Sequence, residues 1–298
     1  MTDRPTANLI APPNEETIIY PYRRVWPAIG VEVGILFFIT AIVAVGGTFI
    51  AIPQQQWFFV NLTLIGLPLA LWAGISWGRE NFAIQPRQRL LAVMLLSALI
   101  ANGIGYPLLY DVLAVQTWLT RGETTEQIII YIFGFGVVQE VLKYVALRQT
   151  VWLNHLRNRH DAVAYGAASA IGYATVFNVR LVIDSPPPPN VAAILIFSTL
   201  MHHMVGSFIV AYGLAETRLA RPSPLLTLGT VSMASVVLGL VTVVSNNIAN
   251  TRLGLGVSTP RDILQLVISM AMVFGISVAV AFLMQNAERS EAEAVAEI

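Results

Sequence analysis

Cysteine is absent from the 298-residue chain. That excludes disulfides, thiolate metal ligands and a cysteine nucleophile. Charge is nearly as scarce. Charged residues make up 11% of the chain, against about 25% in a soluble domain, while 56% are hydrophobic, so this is a membrane protein. The net charge is zero, which gives no basic face for nucleic acid. Lysine occurs once, at Lys143; every other basic residue is arginine. The first ~27 residues are polar and proline-spotted. No short apolar stretch with a small-residue cleavage site opens the chain, so no cleaved signal peptide is expected.

Long apolar runs supply the architecture. A helix needs ~20 apolar residues to cross ~30 Å of hydrocarbon. Eight stretches qualify: 28–52, 57–77, 89–115, 127–147, 161–183, 191–216, 224–248 and 262–284. The expected fold is an all-α, polytopic helix bundle of about eight spans. Segments 1–27 and 285–298 flank it as a polar N-terminal segment and an acidic tail, the latter a short helix or a disordered end. Breakers fall between the spans, including Pro53, Pro86 and the run Pro186 to Pro189, which cannot continue a helix. Arginine and lysine set the orientation. With the N-terminus inside, 13 basic residues lie on the inner side and 4 (Arg121, Arg180, Arg252 and Arg261) on the outer side, of 17 in all. Both termini are therefore expected in the cytoplasm. No internal repeat of the transporter kind is visible.

Ionisable residues inside a span are expensive and tend to face the bundle interior. Span four carries Gln139-Glu140-Val141-Leu142-Lys143. Glu140 and Lys143 are i and i+3, on one helical face and within pairing reach. The plainer alternative is a snorkelling lysine that neutralises a nearby carboxylate. Span five opens at Asp161, a good N-cap, and carries Gly166, Ser169, Ala170 and Ala174, a small-residue seam suited to close packing. Asn178 follows, and a buried asparagine must find hydrogen-bond partners. Span six carries His202 and His203. Adjacent helix positions are ~100° apart, so only one can point squarely at a shared site. Glu32, about one turn into span one, can reach the interface. Asn102 reads as structural, while Asn61-Leu62-Thr63 matches a glycosylation sequon but lies in a span and is set aside. A carboxylate with an imidazole can activate a water or hold a metal. A catalytic zinc site wants three protein ligands, and only Glu140 and His203 are convincing, so a divalent metal such as zinc stays open.

Three blocks of this chain together resemble the PrsW family of membrane-embedded proteases. Gln139 to Lys143 is similar to the family's Glu-Glu-x-x-Lys. Asp161-Ala162-Val163-Ala164-Tyr165-Gly166-Ala167-Ala168, Gly172-Tyr173-Ala174 and Phe177-Asn178 are similar to Asp-Gly-x-x-Tyr-Gly-Ala-Ala, Gly-Phe-Ala and Glu-Asn. His203 to Ser207, with Tyr212 and Gly213, is similar to the family's histidine block, which makes His203 the matching histidine. The resemblance covers about residues 127–217. It departs at Gln139 and Phe177, each standing where the family has a glutamate.

The resemblance implies an intramembrane protease that cleaves membrane-protein substrates, with Glu140 and His203 at its centre and Lys143, Gln139 and Asn178 around them. Fewer carboxylates imply reduced activity. Two other readings stay open: a degenerate protease that binds membrane proteins without cleaving them, and a proton-coupled transporter using Glu140 and His203 as a relay. The expected location is the plasma membrane of a bacterial cell, with membrane proteins and lipid as partners and no nucleic acid. We further expect spans four, five and six to be neighbours around one polar pocket.

Overall fold

The computed structural model describes residues 24–50, 52–115, 124–151, 155–220, 223–250 and 259–296. The expected polar segment 1–27 lies almost wholly outside them, as do Arg121, Arg221 and Arg252 of the charge count. Among the described residues the chain is all-helical, with 8 helices long and apolar enough to cross a membrane. They are α1 (Val25–Phe49), α2 (Gln54–Glu80), α3 (Leu90–Val112), α4 (Glu126–Val151), α5 (Arg159–Asp184), α6 (Pro189–Leu219), α7 (Pro224–Asn250) and α8 (Thr259–Ala296). The acidic tail continues α8 as helix as far as Ala296.

The helix breaks have local causes. α5 ends at Asp184, and α6 restarts with Pro189 in its first turn. Proline is tolerated there because that N–H has no helical partner anyway. Asn61 of α2 ties this turn down, donating to the Pro187 carbonyl at 2.8 Å. Inside α2, Pro68 lies a turn before a π-helical stretch, Trp72–Trp77. In α3, Pro107 separates two more, Ala101–Gly105 and Leu108–Val112. Proline removes an i→i−4 bond and crowds the carbonyl it should have met, so the ladder re-registers nearby.

α5 and α6 form the centre. Of their most apolar stretches 61% and 83% is buried inside the protein, against 22–39% for the other six helices. Small residues allow this. A Cβ on Gly166 would sit 2.9 Å from the Ser207 carbonyl of α6, and one on Gly172 would collide with the Met94 carbonyl of α3. Ser169 of the same seam shares a hydrogen bond with Ser97 of α3 at 2.8 Å. The remaining helices pack around this hairpin, with α4 wedged between α3 and α7 and touching both α5 and α6.

Two polar residues differ from expectation. α5 starts at Arg159, with Asn158 rather than Asp161 as its N-cap. Asn158 is an equally good cap and accepts from the Asp161 amide at 2.9 Å, closing a reciprocal capping box. Asp161 instead turns its carboxylate to Arg87 at 2.8 Å. Glu32 turns into the bundle. It is buried two turns into α1 and accepts a hydrogen bond from Ser76 of α2.

Candidate active site

After the π-helical stretch Tyr131–Val137, α4 becomes regular from Val138. That stretch contains Gly136, where a Cβ would collide with the Ser235 carbonyl of α7, so α4 rests directly on α7 backbone. The contact turns the next turn of α4 toward the central hairpin. Glu140 and Lys143 both have side chains with 0% exposure, and Lys143 Nζ lies 2.7 Å from Glu140 Oε1. Lys143 therefore does not snorkel. Its ammonium also donates to the His203 carbonyl of α6 at 3.1 Å. Opposite Glu140 stands Gly206, one turn beyond His203, and a Cβ there would fall on the carboxylate. The missing side chain is the slot that Glu140 fills.

α5 supplies the third wall. The His203 ring packs on Tyr173 at 5.1 Å and on Phe177 at 5.8 Å, and Tyr173 stacks on Phe177 at 5.3 Å. Phe177 continues outward to Tyr106 and Tyr110 of α3. Spans four, five and six thus meet around Glu140, Lys143 and His203. His202 is only half-buried. Gln139 is buried beside Glu140 on α4. Asn178 stands apart: it donates to the Ile196 carbonyl at 3.3 Å, two turns of α6 away from His203.

Unmet hydrogen-bond capacity occurs elsewhere in the bundle, on Trp26 Nε1, Asn61 Oδ1, Asn178 Oδ1 and Ser277 Oγ, and also on the three helices that meet here. Beyond the Lys143 pair, the Glu140 carboxylate has no partner among the described residues, and the same holds for His203 Nδ1, Tyr173 Oη and Ser207 Oγ. One buried polar atom without a partner is costly. Four such residues on three adjacent helices mark a place for water or a polar substrate group. Gly206, Tyr173 and Ser207 fall inside the motif blocks of the sequence but do not stand out there as site residues. The signal for Ser207 and Tyr173 is weak, because a hydroxyl in an apolar run usually bonds its own helix.

A family model described as PrsW family intramembrane metalloprotease matches residues 85–280. The chain belongs to this family. No curated protein and no solved structure matches it. The match extends well beyond the three motif blocks and takes in α3, α7 and most of α8.

The family description implies a metal. The donor set in this member does not fit one. A catalytic zinc needs about three protein ligands, and this site offers one carboxylate and one imidazole. The two positions where the resemblance expects further carboxylates hold Gln139 and Phe177. Among the described residues, no three of His, Cys, Asp and Glu lie together as ligands. The free carboxylate is also already matched by an ammonium at 2.7 Å.

A second charged cluster lies at one end of the bundle. Arg87 pairs with Asp161 at 2.8 Å and with Glu80 at 2.9 Å, and Arg159 pairs with Glu216 at 2.6 Å. All five residues are buried. Their pairs are closed, and the cluster locks the α2–α3 connection to the start of α5.

Proposed function

We propose that this PrsW-family protein is an intramembrane protease, of reduced activity, that hydrolyses a peptide bond of a membrane-protein substrate at Glu140 and His203. The observation that carries the reading is the set of unmet polar atoms on Glu140, His203, Tyr173 and Ser207, gathered in an otherwise apolar interior. Glu140 serves as general base: it takes a proton from a water whose oxygen attacks the scissile carbonyl carbon. An imidazole N–H of His203 donates to the developing oxyanion, and such donors are worth the most in a water-poor site. The C–N bond then breaks as Glu140 passes its proton to the leaving amine. Lys143 holds the carboxylate in place, and Gln139 and Asn178 complete the surroundings. Both termini face the cytoplasm of a bacterial cell, on the arginine asymmetry.

The experiment is release of a reporter from a panel of single-span membrane substrates. We expect slow cleavage, lost in Glu140→Gln and His203→Ala, and faster in Gln139→Glu with Phe177→Glu. Cleavage that persists in Glu140→Gln would refute the assignment. A non-cleaving binder is the second reading, favoured by the Phe177 ring standing where the resemblance expects a carboxylate. Complete silence of the double variant on substrates that the protein nonetheless captures would favour it.

A further inference from the structure

We infer that the resident cation of this site is the ammonium of Lys143, and that the protein works without a bound divalent metal. The inference deepens the protease reading and rests on it only for the catalytic role of Lys143.

Charge balance comes first. Glu140 contributes one negative charge and Lys143 one positive charge, at 2.7 Å and 0% exposure, so the buried pair sums to zero. A divalent ion added to this pair would bring two uncompensated charges into hydrocarbon, which is strongly unfavourable. Ligand supply points the same way. His203, whose carbonyl accepts from Lys143, is the imidazole the site offers, and its ring packs on Tyr173 and Phe177.

The ammonium is also placed to do what a metal would otherwise do. It has three N–H donors. The His203 carbonyl accepts one of them, and Glu140 Oε1 lies 2.7 Å from the nitrogen as an ion pair. No further acceptor is committed to the ammonium among the described residues, and His203 and Ser207, one turn apart on α6, carry unmet polar atoms. A fixed ammonium in a low-dielectric site stabilises an oxyanion electrostatically, as preorganised donors do.

The test uses the full-length protein purified in detergent from cells grown with zinc. Its metal content is measured by mass spectrometry. Its melting temperature is followed with EDTA and with added zinc. We expect no stoichiometric divalent ion and no shift in Tm with either reagent. We also expect Lys143→Gln to melt lower than both the wild type and Lys143→Arg, because only the first removes the charge. One divalent ion per chain, with a Tm that falls on chelation, would overturn the inference. So would a Lys143→Gln variant that melts with the wild type. Neither readout depends on cleavage, so a chain that binds metal and still cleaves would sink this inference alone. A metal-free chain in which Glu140→Gln still cleaves would sink the assignment of the base alone. Where cleavage is measured, it should resist chelators and fall further in Lys143→Gln than in Lys143→Arg.

Discussion

Gly206→Ala is the sharpest probe of the site, because it adds one methyl group and no charge. The new Cβ would stand 2.6 Å from Glu140 Cδ and 2.9 Å from Oε2, and closer still to Oε1. The carboxylate has little room to retreat, since Lys143 holds Oε1 at 2.7 Å and both side chains are fully buried. Overpacking of this kind destabilises by about 1–3 kcal/mol. If the carboxylate swings away from Lys143, the broken buried pair raises this to about 3–5 kcal/mol. Alanine's better helix propensity returns up to about 1 kcal/mol. The net expectation is a loss of up to about 2 kcal/mol if the pair holds and about 2–4 kcal/mol if it breaks. Gly30→Ala is the control, because a Cβ there meets nothing within 4 Å. It should be neutral or stabilising by up to about 1 kcal/mol. The assay is reversible unfolding in mixed detergent micelles. The comparison is repeated in a Glu140→Ala, Lys143→Met background, where the added methyl meets no carboxylate and its penalty should nearly vanish. That coupling should be about 2 kcal/mol or more. A Gly206→Ala protein as stable as Gly30→Ala would refute the packing of Glu140 into this slot, as would an equal penalty in both backgrounds.

Asp161→Asn should destabilise by about 2 kcal/mol or more, since it removes the charge of one of the carboxylates paired with buried Arg87; an unchanged unfolding midpoint would show that the cluster does not stabilise the fold. Gly136→Ala should separate α4 from α7, where the new Cβ would meet the Ser235 backbone, and should lose about 1–3 kcal/mol in the same assay. Gly229→Ala on α7, with nothing within 4 Å, is its control and should show no loss.

Much of the fold was legible because lipid permits few solutions. An apolar run of the right length must be a helix when nothing else can satisfy its backbone. The eight expected spans accordingly match α1 to α8, with ends shifted by a few residues. The ends moved for polar reasons that apolar length does not report. α2 runs on to Glu80 and α5 starts at Arg159 because buried partners, Arg87 and Glu216, hold those charges inside. Read one residue at a time, these arginines are only markers of sidedness. Two of their partners are 57 and 74 positions away, in Arg159–Glu216 and Arg87–Asp161, and such long-range pairs have no local signature, unlike Arg87–Glu80 at 7 positions. The π-helical stretches were also missed, although Pro68 and Pro107 lie close to three of them.

The site was legible where desolvation forced convergence. A lone lysine and a glutamate one turn apart in hydrocarbon have to pair, and a histidine in the next hairpin is the nearest polar group to meet them. Asn178 shows the limit of that reasoning. The Asn178 amide N–H finds the Ile196 carbonyl on the adjacent helix before the shared pocket is reached, while its Oδ1 has no partner among the described residues. Desolvation therefore predicts that a polar side chain finds a partner, and it predicts which one only for charges, because a backbone carbonyl cannot neutralise Glu140. Glycine inverts the problem. Gly206 contributes through the atoms it lacks, and it sits among small residues that pack α6 against α5. Only the position of the Glu140 carboxylate, fixed from a third helix, separates this glycine from its neighbours in the seam. Phe177 follows the same logic. In sequence it reads as a lost carboxylate. In the fold its ring packs on both Tyr173 and His203 and links them to the aromatic group of α3. An aromatic wall keeps water scarce around one neutral ion pair, whereas a second carboxylate there would have required a second cation.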